Sequence, residues 1–96
     1  MAADVAIPPA QRIKVANKVE TIDWAAHKGA SRALVESRGD IVFYLTTGED
    51  PSDAIGMPLI AADTSAILPL DGEHQIKNFK AICPVGEATL DVTFLK

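Results

Sequence analysis

The chain has 96 residues, enough for one core and one domain and too few for a second. Nine basic residues against thirteen acidic ones give a net charge of −4, with no run of Lys and Arg, which argues against a phosphate-tracking, nucleic-acid-binding surface. One cysteine, Cys83, excludes an internal disulfide, and with His27 and His74 it forms no zinc-ligand spacing.

In chain order, residues 1–11 read as an extended arm, because Pro8 and Pro9 forbid a helix across them and favour a polyproline-like path. The arm carries Val5 and Ile7 as apolar members, so Val5, Ile7, Pro8 and Pro9 are candidate partner contacts. The start, Met1-Ala2-Ala3-Asp4-Val5, lacks the basic n-region and apolar core of a signal peptide, and no apolar run is long enough to span a bilayer. The expectation is a soluble chain made in a cytoplasm, without membrane partners.

Residues 12–96 read as a single β domain. Ile13 and Val15 alternate with Arg12 and Lys14, and Ile22, Trp24 and Ala26 alternate with Thr21, Asp23 and Ala25, both as half-buried strands do. Segment 25–38 contains good helix formers but no apolar stripe at helical spacing, and Gly29 interrupts it. A turn at 27–30 and a strand at 31–37 are expected there, with a single helix as the alternative. Arg38-Gly39-Asp40 suits a tight hairpin, and its likeness to an integrin-binding tripeptide is what a turn would produce unaided.

Ile41 to Leu45 is apolar on both faces, which marks a strand that is central or covered on its outer side, and Thr46-Thr47 continue it. Tyr44 points opposite to Phe43, so either a second sheet covers it or a partner does, and it joins the candidate contacts. The other aromatics, Trp24, Phe43, Phe79 and Phe94, are expected in the core. Gly48 to Asp53 is a polar loop whose acids Glu49, Asp50 and Asp53 match no calcium-binding spacing. A short edge strand is expected at 57–61, where Pro58 removes one ladder donor. After Asp63-Thr64-Ser65 a strand follows at 66–70, then a turn at Asp71-Gly72, a strand at 77–83, a turn at 84–87 and a last strand at 88–96. In that last strand Leu90, Val92 and Phe94 face inward.

The pattern predicts an all-β fold: an antiparallel β-sandwich or jelly-roll-like small barrel of about seven or eight short strands, with an extended N-terminal arm. No nucleophile–base pair and no Gly-rich phosphate loop is legible, so neither a catalytic residue nor a cofactor or metal site is assigned. A thiol in the apolar run Ala81-Ile82-Cys83 reads as core. A chain this short buries only about two-thirds of its unfolded surface, and without a disulfide or metal its remaining staple is association.

The features from residue 41 onward, Phe43-Tyr44-Leu45-Thr46-Thr47-Gly48, Gly56-Met57-Pro58-Leu59, Asp71-Gly72, Ala81-Ile82-Cys83 and Gly86-Glu87-Ala88-Thr89-Leu90-Asp91-Val92-Thr93-Phe94, resemble small structural proteins of tailed-bacteriophage virions, the capsid decoration or cement class. That resemblance implies a β-sandwich or jelly-roll-like fold, a homo-oligomer (often a trimer), the major capsid protein as partner, and a place on the capsid exterior. A tail, head–tail or head-fibre component touching the host surface is the alternative. A carbohydrate-binding module is a third reading, with Trp24 and Tyr44 as stacking platforms.

Overall fold

The computed structural model describes residues 6–23, 29–52, 54–61 and 66–96. Val5, Trp24, Ala26, His27, Asp53 and the 63–65 turn therefore lie outside the described residues.

Eight strands form: β1 (Ala6–Val15), β2 (Glu20–Thr21), β3 (Arg32–Gly39), β4 (Val42–Leu45), β5 (Met57–Leu59), β6 (Ala66–Asp71), β7 (Lys80–Ile82) and β8 (Ala88–Leu95), with one short helix, α1 (Glu73–Asn78). They pair as a long hairpin folded about its middle: β1 with β8, β2 with β7, β3 with β6, and β4 with β5, all antiparallel. Rolling that hairpin up adds the β3–β8 and β4–β7 ladders. The outcome is two four-stranded sheets ordered β1-β8-β3-β6 and β2-β7-β4-β5. This is a jelly roll, the double-sheet arrangement expected from the strand pattern.

The two sheets close on one core. The first sheet contributes Val15, Val35, Leu70, Leu90, Val92 and Phe94, and the second contributes Val42, Leu59 and Ala81. Period-two alternation sets these faces: β8 buries Ala88, Leu90, Val92 and Phe94 while Thr89, Asp91, Thr93 and Leu95 stay half-exposed. Segment 32–39 is a strand and not a helix, since Ala33, Val35 and Ser37 alternate inward between two flanking strands.

Four expectations change. The strand placed at 77–83 is α1 followed by the shorter β7. Six residues with one buried apolar member, Ile76, leave no stripe for a sequence pattern to detect. Gly72 at φ +89° turns the chain into this helix, and the Asp71 amide donates to Gln75 Oε1 at 2.8 Å. The strand expected across 21–26 is described only as the two residues of β2, with Ile22 buried beyond it.

The boundary drawn between arm and domain at residue 11 falls inside β1. Ala6 pairs with Leu95 and Ile7 with Phe94, a register shift separates Ile7 from Gln11, and pairing resumes from Gln11↔Val92 to Val15↔Ala88. The two prolines sit in that irregular stretch, where missing amide donors cost no ladder bond. Finally, β4 ends at Leu45, so Thr46 and Thr47 do not extend it.

Candidate docking surface

The two outer faces of the sandwich differ in chemistry. On the first sheet, Arg12 lies opposite Asp91, and Asp91 lies opposite Glu36. Two carboxylates directly across a ladder repel. Arg38 bridges them, donating Nη1 to Asp91 at 2.7 Å and Nη2 to Glu36 at 2.7 Å, while Arg12 Nε donates to Asp91 at 2.7 Å. The Arg12 hydrogen bond is the main reason the Asp91 carboxyl titrates below its ordinary range, with Arg38 adding to it and partial burial opposing it. Lys14 and Glu87 extend this charged face at 3.1 Å.

The second sheet presents the opposite. Val42 and Tyr44 of β4 turn inward, so Phe43 and Leu45 turn outward. The register sets Phe43 beside Ile82 on one side and beside Pro58 on the other. Pro58, Phe43 and Ile82 thus form an apolar row across three strands, with Leu45 and Lys80 adjacent in the next row. Phe43, Leu45 and Ile82 are half-buried and Pro58 is exposed. The Lys80 ammonium pairs with Asp50 at 3.0 Å.

This row runs to the end of the sandwich where the β3–β4 and β7–β8 loops meet. There Asp40, Ile41, Phe43, Pro84 and Val85 line an open recess of about 280 Å³. Val85 projects at its rim, 83% exposed, and Ile41 is 45% exposed. Backbone bonds hold the loops together: the Asp40 amide donates to Glu87 O at 3.0 Å, and the Glu87 amide donates to Asp40 Oδ2 at 3.0 Å. Gly86, at φ +91°, lies so close to Asp40 that any Cβ there would overlap the carboxylate. Cys83 Sγ donates to Val85 O at 3.5 Å, fixing the base of the projecting loop. Burial pushes the Cys83 thiol up, and the Asp40 charge adds to it.

The contacts expected from sequence are not gathered here. Val5 is outside the described residues. Ile7, Pro8 and Pro9 lie in β1, at the edge of the other sheet. Tyr44 packs on the core with its ring stacked on Phe79, centroids 5.9 Å apart at 26°. Of the two covers considered for Tyr44, the molecule's own interior is the one found. Among the described aromatics, Phe43, expected inside, faces out, while Phe79 and Phe94 are buried. The doubly apolar run 41–45 signalled that one face needed a cover, but not which residue would face it.

Among the described residues, no group of three or more His, Cys, Asp or Glu is placed to hold a metal ion, and no helix is long and apolar enough to cross a membrane. Glu49 accepts from Thr47 Oγ1 at 3.2 Å, and His74 is an exposed imidazole beside Asn78. No family model, no curated protein and no solved structure matches this chain.

Proposed function

We propose that this chain is a non-enzymatic virion structural protein that decorates a bacteriophage capsid and binds the major capsid protein lattice from the outside. The observation that carries the reading is the contrast between its faces: one is laced with internal ion pairs, and the other presents an unbroken apolar row that ends in a recess. A contiguous apolar patch on so small a domain is the usual mark of a protein-binding surface. A jelly roll is a common architecture of viral capsid proteins, although the same fold also serves lectins and cupins. The resemblance of residues 41–96 to capsid decoration proteins selects among these. Many copies on a lattice would let a modest single contact hold by multivalency.

The test is co-sedimentation of the purified chain with expanded and with mature phage capsids, counting copies per particle by quantitative mass spectrometry. Binding at hundreds of copies supports decoration. A few copies per particle would indicate the tail or head-fibre alternative, and a chain left wholly in the supernatant at micromolar concentration would refute a virion role.

A further inference from the structure

We propose that the apolar outer face of the β2-β7-β4-β5 sheet, with the Val85 loop, is an isologous interface between two copies of this chain. A twofold contact requires a patch that carries its own complement. Val85 is a projecting apolar knob directly beside a recess walled by Ile41, Phe43 and Pro84. A twofold places each Val85 in the recess of the other copy. The space suffices, since a cavity of about 150 Å³ already accepts benzene and this one is about 280 Å³.

The polar groups are self-complementary too. Lys80 and Asp50 stand side by side at 3.0 Å, so two copies meet with both signs present and no field that would select a foreign partner of one charge. Asp40 is engaged by the Glu87 amide within its own chain. The knob is presented without much ordering cost, because the two cross-loop bonds and the Cys83 contact already hold its loop.

Strand addition, the other common route to a pair, is obstructed. The edge strands β1, β5 and β6 carry Pro8 and Pro9, Pro58, and Pro69, and β2 has two residues.

This inference uses the face that the capsid reading also rests on, so a pair formed through it would meet a capsid by another surface; it predicts a pair where the resemblance implies a trimer. The experiment is sedimentation equilibrium of the full chain up to about 200 µM, with Val85→Asp and, as a control on the opposite sheet, Ile67→Lys, which places a charge opposite Glu36 without repulsion. Ile67 is 63% exposed on β6, so both variants are surface changes, and matched circular dichroism melts of dilute samples check folding. The expected result is a monomer–dimer equilibrium that Val85→Asp weakens at least about tenfold and Ile67→Lys leaves unchanged. A chain that stays monomeric, forms a trimer, or dimerises equally well as Val85→Asp would overturn the proposal. Capsid binding by a strict monomer would overturn it while leaving the decoration role standing.

Discussion

Ser37→Ala should make this protein more stable, although it removes a polar group from the middle of a strand. Ser37 faces the core from β3, between Ala66 of β6 and Leu90 of β8, and is fully buried. Its Oγ has no hydrogen-bond partner. A buried hydroxyl without a partner carries a desolvation penalty of about 1–3 kcal/mol. Alanine removes that penalty and leaves a void smaller than a methylene, whose cost is below about 1 kcal/mol. The net is a gain of about 1 kcal/mol, equivalent to a rise in Tm of about 4–8 °C for a domain of this size. Urea denaturation followed by tryptophan fluorescence or circular dichroism should show the midpoint rising with an unchanged slope. A loss of more than about 0.5 kcal/mol would refute the reasoning, because the hydroxyl would then be satisfied by a buried water or a carbonyl.

Asp91→Asn should cost about 1 kcal/mol at pH 7, a figure kept low by the solvent access of its pair with Arg12 and Arg38. The Asp91 carboxyl titrates lower in the folded chain than in the unfolded one, so its contribution is complete above the ordinary carboxylate range and disappears as pH falls through the depressed value. Melts of wild type and variant should therefore converge as pH falls below the ordinary carboxylate range, and a gap that does not narrow on acidification would contradict the assignment. Gly86→Ala should destabilise by about 2–3 kcal/mol in urea titrations, from positive-φ strain together with displacement of Asp40 from its bond to the Glu87 amide. Cys83, fully buried, should react with a thiol reagent at the rate of global unfolding, and rapid modification of the native chain would show that its loop opens locally. Deleting residues 2–10 removes the Ala6 and Ile7 pairings and keeps Gln11–Val15 on β8, so the melt should fall by several degrees yet stay cooperative. A non-cooperative melt would make the first half of β1 essential to the fold.

The architecture was legible wherever a strand has one wet face. In β8 the alternation is unbroken and Leu90, Val92 and Phe94 are buried as the pattern predicts, while at 32–37 the missing helical stripe implied the strand without saying which face is buried. It failed where burial is carried by one residue, as with Ile76 in α1, or where both faces of a strand are apolar, as in β4. With Val42, Phe43, Tyr44 and Leu45 all apolar, period two cannot say which pair faces in. The answer comes from tertiary context: Tyr44 stacks on Phe79, 35 positions away in the chain and just before the neighbouring strand β7, and Phe43 is left outside. The candidate surface was therefore foreseen as a need for cover and assigned to the wrong aromatic. Val85 and Pro84 read only as a turn, because nothing local indicates that the β3–β4 loop comes to lie beside them.

The prolines connect these observations. Open sheet edges invite pairing with other chains, and a jelly roll leaves four of them. Here β1, β5 and β6 each hold proline, and the Asp71 amide of β6 is taken by Gln75. A residue that cannot donate is tolerated in a strand only where its nitrogen faces away from the ladder, so each proline both reports an edge and blunts it. Such a molecule meets others through side chains rather than through backbone. The charged face of the first sheet satisfies itself with the Arg12–Asp91–Arg38–Glu36 chain and exposes Ile67 at its β6 edge, while the Pro58–Phe43–Ile82 row and the Val85 loop form a contiguous apolar surface on the other sheet. At about 25 cal/mol per Å² of apolar area covered, even part of that face would add several kcal/mol to a domain whose one cysteine allows no internal disulfide. On the proposed reading, association through this face would stabilise the fold as well as serve its function.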